Sequence, residues 1–390
     1  MREHLEAIWR AGVEACMPER VLPPHLPEAP RGRTVLLALG KAAVPMARAV
    51  EARWQRPLSG LAVTRHGSEE PLGRLETTGA GHPVPDEHSV SAAKRLLELA
   101  TAAGHDDLVL VLLSGGASAL ACLPGEGLAL AEKRRLTEAL LRSGAAVGEM
   151  NCVRRHLSRF KGGRLGHAAA PARLVTLAIS DVLGDAPEDI GSGPTVADPT
   201  TAEDAFAILR RYGIDPPQKG WSESTEAVKG SYRIVARGRD ALEAAAAEAR
   251  RLGYAPVLLE CEGEAREVGR AHAEPALRSP PGTALISGGE LTVTVLGKGT
   301  GGPNQEYALA AAIRLAGRAG IAGLAGDTDG VDGSGGAAGA FFDGRSARPG
   351  AVEALEANDS GSYFRATGDA FVTGPTGTNV NDLRILLTSP

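Results

Sequence analysis

The chain of 390 residues carries 47 acidic against 42 basic side chains, a formal net charge of −5 with no basic block, which excludes nucleic acid and an anionic membrane surface as expected partners. No run reaches the roughly eighteen apolar residues of a membrane span, and the N-terminal MREHLEAIWRAGVEACMPER mixes charge with apolar residues at helical spacing, unlike a secretory signal. The length suits two or three domains, and the four cysteines form no CxxC pair, which argues against a zinc site or a disulfide framework and fits a reducing cytoplasm.

In chain order, TVLLALG (Thr34 to Gly40) predicts a buried strand and Lys41 to Trp54 a helix. GLAVTR is the next strand, His88 to Ala103 a helix, and LVLVLLSGG a strand. Alternation of this kind, with continuously apolar strands, predicts an α/β fold with a mainly parallel sheet covered on both faces. Helices over Leu128 to Ser143 and Ala146 to His156 precede the strand RLVTLAIS. The polar, aperiodic Trp221 to Gly230 marks a boundary, giving domains 1–225 and 226–390. The second begins with YRIVA, a helix over Asp240 to Leu252, APVLLE and a helix over Ala265 to Leu277. It continues with ALISGGELTVTV, whose alternating LTVTVL predicts a half-exposed strand in a mixed sheet.

Two apolar runs end in Ser-Gly-Gly: Ser114-Gly115-Gly116, continued by Ala117 and Ser118, and Ser287-Gly288-Gly289, continued by Glu290. Glycine at a strand's carboxyl end bares backbone N–H groups where open α/β sheets bind ligands, so both are candidate anion sites. Lys41 follows a strand-end glycine and opens a helix, where a cation strengthens an anion site. Asp181 directly follows a buried strand, with Asp185, Asp189 and the small donors Ser192, Gly193 and Thr195 after it. Carboxylates beside hydroxyls suit Mg²⁺ and phosphate oxygens.

Gly297, Gly299 and Gly302 satisfy GxGxxG, but Asn304, Gln305 and Glu306 at the helix start are too large for a pyrophosphate cradle, and NAD is discounted. Asp327, Asp329 and Asp332 form an acidic glycine-rich loop, and Thr376, Gly377 and Asn379 lie in a loop rich in donors before the last strand. His82, before a proline at a loop bend, is a candidate general base, although a histidine in that place is more often structural. Neither a Walker A pattern nor a GxSxG elbow occurs.

LALGKAAVPMARA, GHPVPD, LLSGGASAL, AISDVLGDAPEDIGSGPTVADPT, ISGGELTVTVLGKGTGGPNQE, AGDTDGVDGSGGAAGA and VTGPTGTNVNDLRILL, in this order, together resemble a class II, or MOFRL-type, glycerate kinase. The resemblance implies a Rossmann-like N-terminal domain, a smaller C-terminal α/β domain and an active site in the cleft between them, reached by the C-terminal loop. It implies ATP- and Mg²⁺-dependent phosphorylation of D-glycerate to 2-phosphoglycerate in the cytoplasm, and allows for a homodimer. Lys41 matches the family's catalytic lysine. Asp181 is the expected base or Mg²⁺ ligand, with Asp329 as a second metal candidate. Ser114 to Ser118, Ser192, Gly193, Thr195, Gly288, Gly289, Glu290, Asn304, Glu306, Thr376, Gly377 and Asn379 are expected at substrate or phosphate. One departure stands out: many members have arginine where this chain has Pro303, leaving Arg65, Arg154, Arg155 or Arg237 to supply the cation. A nicotinamide-dependent hydroxypyruvate reductase and a non-catalytic nucleotide sensor are the alternatives.

Overall fold

The strands β1 (Thr34–Leu39), β2 (Leu58–Arg65), β3 (Glu76–Ala80), β4 (Leu108–Leu113), β5 (Arg173–Ile179) and β6 (Ser231–Ala236) form one sheet in the order β3-β2-β1-β4-β5-β6. This is a computed structural model describing residues 1–225 and 227–390. Pairing from β3 through β5 is parallel, and every residue of β1 and β4 is buried, as helices on both faces require. Val35, Leu37, Val109 and Val111 meet Leu96 and Ala100 of the helix Glu87–Thr101 in one core. That helix starts where the sequence provides a stop: Asp86 Oδ1 accepts from Ser89 N at 2.9 Å while Asp86 N donates to Ser89 Oγ at 3.0 Å, a reciprocal cap. The strand order departs in opposite directions from β1 and β4, so the switch point of the sheet lies between their carboxyl ends.

The second sheet contains β7 (Ala255–Glu260), β9 (Thr283–Gly288), β11 (Ile321–Asp327), β12 (Gly339–Asp343), β13 (Ala370–Phe371) and β14 (Asp382–Thr388); β8 (Gly263–Glu264) and β10 (Leu291–Thr292) pair separately. Its order is β13-β12-β11-β14-β9-β7, antiparallel except for β7 with β9, so the expected mixed sheet is present. LTVTVL is not one of its strands. Because β14 and β7 already flank β9, the chain leaving β9 has no free edge there, and only Leu291–Thr292 pairs, with β8.

The chain divides into a unit of Val21–Val235 and a unit of Met1–Arg20 with Ala236–Pro390. Both ends of the expected partition, 1–225 and 226–390, differ from this, and its Glu226 lies outside the described residues. YRIVA belongs to β6 of the first sheet, where Tyr232 and Ile234 pack on the first core. The helix Arg2–Ala15 belongs with the second unit: Leu5, Ile8, Trp9 and Val13 pack with Leu242, Ala245 and Leu383, and Trp9 Nε1 donates to Gly326 O at 3.3 Å. An amphipathic helix with one apolar face docks where that face is covered. Among the described residues no helix is long and apolar enough to cross a membrane.

Candidate active site

In the Val21–Val235 unit the chain passes from β1 into Gly40 and Lys41, and from β4 into Ser114, the two sides of the switch point. Gly40 takes φ +136°, and a β-carbon there would fall 2.1 Å from Ser114 Oγ. Only glycine lets the two strand ends approach so closely. Lys41 N then donates to Gly115 O at 2.8 Å, and Ala42 N to Ser114 Oγ at 3.1 Å. Gly116, at φ +83°, caps the short helix Ala117–Leu120, whose first N–H groups have no acceptor within their own helix. A β-carbon on Gly116 would lie 2.9 Å from His82 Nε2 and 3.3 Å from Lys41 Cγ. The structure thus brings Lys41 together with Ser114, Gly115, Gly116, Ala117 and Ser118, and places His82 beside them.

The Asp181–Thr195 segment joins the same neighbourhood through Gly191, which lies against Ala117, and through the Ser192 side chain. Ser192 Oγ lies 2.6 Å from Ser118 Oγ and 3.2 Å from Asn151 Oδ1, and Asn151 Nδ2 donates to Asp189 Oδ1 at 3.0 Å. Gly191, Ser192 and Gly193 all have positive φ, of 62°, 60° and 56°. The strained Ser192 is tolerated because its neighbours fix it. Two of the backbone donors expected of this loop are already used: Ser192 N bonds Asp189 O and Gly193 N bonds Ile190 O, both at 3.1 Å. Thr195 is buried and accepts from Thr176 Oγ1 at 3.0 Å, a packing role. Asp181 stands partly exposed two residues past the end of β5. Arg155 is held by Asp189 and Asp198, with its Nε 2.9 Å from Asp198 Oδ1, so it has no reach to spare; Arg154, by contrast, lines a cavity.

That cavity, about 470 Å³, is lined by Gly116, Ser118 and His82 and by the cationic Lys133, Arg134, Arg154 and Lys161. Lys133 Nζ donates to Leu157 O at 2.6 Å and Arg154 O at 3.2 Å; Lys161 Nζ donates to Ser118 O at 2.7 Å and Ala121 O at 3.0 Å. Both ammonium groups are buried: Lys133 braces the C-terminal end of the helix Val147–His156, and Lys161 ties down the Ala117–Leu120 turn. Burial, aided by the neighbouring cations, pushes Lys161 down to about 7 and Lys133 to about 8, and burial lowers Arg154 too. Sequence reasoning missed both lysines. HLSRFKGG, which carries Lys161, has no periodicity to place it, and Lys133 sits on a helix face that reads as solvated.

These depressed values have a signed consequence for stability. Between pH about 7 and the ordinary lysine value of 10.5, the unfolded chain holds more protons than the folded one, so stability rises with pH across that window. Urea unfolding at several pH values should show this rise, and Lys161→Met should flatten it. A wild-type profile that is level or falls from pH 7 to 9.5 would contradict the burial of these charges.

In the other unit the second Ser-Gly-Gly is built differently. Arg384, fully buried, donates to Gly288 O at 3.4 Å and Gly289 O at 3.1 Å and pairs closely with Asp382. This turn therefore offers carbonyls, and they are already taken; Glu290 beside it is exposed. Asn304 Nδ2 donates to Asp382 Oδ1 at 2.6 Å and to Asp332 Oδ1 at 3.3 Å. Glu306 pairs with Arg266 at 2.8 Å and accepts from Asn358 at 3.0 Å. Both side chains, expected at substrate, are buried in structural bonds. Asp329 Oδ1 accepts from Val331 N at 2.8 Å, inside its own turn, and Asp329 O accepts from Thr376 N at 3.1 Å. Thr376 Oγ1 donates to Thr328 O at 2.5 Å, and Asn379 Oδ1 accepts from Asn381 N at 3.4 Å. The acidic loop and the C-terminal loop carrying Thr376, Gly377 and Asn379 are thus brought together, as an interlocked pair of turns.

The GxGxxG stretch is packed, not open. β-Carbons on Gly297, Gly299 and Gly302 would fall 1.9 Å from Ala357 O, 2.3 Å from Asp359 Cβ and 2.4 Å from Asp332 Oδ1. Pro303 occupies the first position of the helix Pro303–Arg314, where a missing N–H costs nothing. The next donors, Asn304 N and Gln305 N, are capped by Asp332 at 3.0 and 2.8 Å. A pyrophosphate has neither space nor donors here. Gly297→Ala is expected to destabilise by about 1–3 kcal/mol through overpacking, read as a lowered melting temperature; an unchanged melt would contradict this packing.

For Mg²⁺, Asp181 has the right chemistry, a partly exposed carboxylate at a strand's carboxyl end, since this ion needs only one or two protein carboxylates and keeps several waters. Among the described residues the one grouping of three metal-ligating side chains is His66, Asp86 and His88, an imidazole-rich set unlike that preferred by Mg²⁺. Neither Asp181 nor Asp329 belongs to it.

Comparison with known proteins gives this geometry a family. Residues 4–222 match the model of a domain of unknown function, DUF4147, and residues 283–382 match the MOFRL family. A protein of Agrobacterium vitis that bears a hydroxypyruvate reductase name is 47% identical over 99% of this chain and 94% of its own. The D-glycerate 2-kinase of Thermotoga maritima is 40% identical over 97% of this chain and 96% of its own. A crystal structure of glycerate kinase from Thermotoga maritima superimposes with a TM-score of 0.87 at 39% identity, covering 98% of this chain and 97% of that one. With a DUF4147 segment followed by a MOFRL segment and such relatives along nearly its whole length, the chain belongs to the glycerate kinase family.

Proposed function

We propose that this protein transfers the γ-phosphoryl group of ATP to the 2-hydroxyl of D-glycerate, giving ADP and 2-phosphoglycerate. The observation that carries the reading is the meeting of Lys41 with the Ser114–Ser118 turn at the switch point of the first sheet, beside a cavity walled by cations. Phosphoryl transfer asks for positioning and charge stabilisation more than for covalent chemistry. Lys41 steadies the transferring phosphoryl group, and the first N–H groups of the Ala117–Leu120 turn offer donors to anionic oxygen. Asp181 orients the attacking hydroxyl and takes its proton. Alternatively, Asp181 would hold Mg²⁺, which would supply charge neutralisation at the phosphates.

The reductase name carried by the Agrobacterium relative makes a second reading, and the packed GxGxxG stretch with its helix start capped by Asp332 weighs against it. One pair of assays separates the two. Purified protein with D-glycerate, ATP and Mg²⁺ is expected to release ADP, and with hydroxypyruvate and NADH or NADPH to leave the nicotinamide absorbance unchanged. Nicotinamide oxidation without ADP release would replace the kinase reading with the reductase one.

A further inference from the structure

We propose that the cavity beside the switch point is the subsite for the carboxylate of the acceptor acid, held by Lys133, Arg154 and Lys161, and that it selects small hydroxy acids over neutral polyols. The inference rests on the kinase reading for its choice of ligand. Its physical basis is a charge imbalance. Two buried ammonium groups and the half-buried Arg154 line one cavity, and Lys133 and Arg154 both push the Lys161 ammonium toward its neutral form. Arg134, a fourth lining cation, has a buried Nε with no hydrogen-bond partner. The one carboxylate on the lining, Glu138, is exposed at the rim and bonded to Arg142 at 2.6 Å. Buried positive charge without a protein counter-ion is costly, and a bound anion offsets that cost.

Counting donors narrows the anion. An ammonium has three N–H bonds. Lys133 and Lys161 each spend two on backbone carbonyls, so each keeps one for a ligand. Arg154 spends one guanidinium nitrogen on Asn151 Oδ1 at 3.3 Å and has others left. Two single donors and one fork match the two oxygens of a carboxylate. A triphosphate chain carries many more oxygens than these three groups can serve, and Pro83, Val84 and Ala119 make part of the remaining wall apolar, with Arg134, Ser118 and Thr137 beside them. Lys161 also holds Ser118 O, so an acid seated here is tied to the same turn that meets Lys41.

The test compares Lys161→Met with wild type in steady-state kinetics and in calorimetric titration with D-glycerate alone. The expected result is a rise of roughly tenfold or more in KM for D-glycerate, the scale of one charge-assisted hydrogen bond, with KM for ATP within about twofold of wild type. Discrimination between D-glycerate and glycerol should shrink in parallel. A raised KM for ATP with an unchanged KM for D-glycerate would make the cavity a nucleotide site and overturn the proposal, as would no change in either. Should Lys161→Met fail to fold, Arg154→Gln is read by the same criteria. Titration keeps the two readings apart: wild-type binding of D-glycerate that Lys161→Met weakens, without any turnover, sinks the kinase reading alone. Turnover with an unaltered KM for D-glycerate in the variant sinks this one alone.

Discussion

Lys41→Ala should lower kcat by roughly 10²–10³-fold, the cost of removing one preorganised donor to developing charge, while the protein stays folded. The distinction follows from which atoms of the residue do what. The bond that joins the strand ends is made by the backbone, Lys41 N to Gly115 O at 2.8 Å, and alanine keeps it. The half-buried side chain lies against Gly116, beside the His82 ring, so its loss removes charge from the site and little from the core. Retained melting temperature with lost turnover is the expected pair of results. Turnover within a few-fold of wild type would remove Lys41 from the transition state. Lys41→Arg should recover little, because a planar fork does not replace a compact ammonium.

The largest expected loss of stability is Asp382→Ala, about 3–5 kcal/mol. Arg384 is completely buried and rests 5.4 Å over the Tyr307 ring. Asp382 supplies its counter-charge and also accepts from Asn304 Nδ2. Removing the carboxylate strands a guanidinium in the core of the second unit. The expected outcome is a melting transition lower by on the order of 10 °C, or insoluble protein. The double variant Asp382→Leu, Arg384→Met should regain much of the loss, since an apolar pair of similar volume avoids stranding a charge. A single variant melting within about 2 °C of wild type would show that Asp382 is not the counter-ion that this burial requires.

What the sequence made legible follows from the range of each interaction. Strands such as Thr34–Leu39 and Leu108–Leu113 declare themselves by unbroken apolar character, and Lys41 by its place just past a strand-end glycine. Both are local signals. The partner of Arg2–Ala15 is not local: its apolar face names no target, and it docks more than 200 residues away on Leu242 and Leu383. The strand YRIVA reads as the start of a domain because a polar stretch precedes it, yet sheet pairing returns it to the first unit. Two identical Ser-Gly-Gly endings took opposite fates, because one faces a switch point and the other faces Arg384. Lys133 and Lys161 stayed hidden for the reason that makes them informative. Charged residues are rarely buried without a partner, and nothing local announces an exception.

The measurement that bears most directly on the central claim couples the reaction to enolase, which accepts 2-phosphoglycerate but not its 3-phospho isomer. Wild-type protein with D-glycerate, ATP and Mg²⁺ should produce phosphoenolpyruvate directly, and Lys41→Ala should not. Product that reaches phosphoenolpyruvate only after adding phosphoglycerate mutase, or ATP left intact beside D-glycerate, would contradict phosphorylation of the 2-hydroxyl at this site.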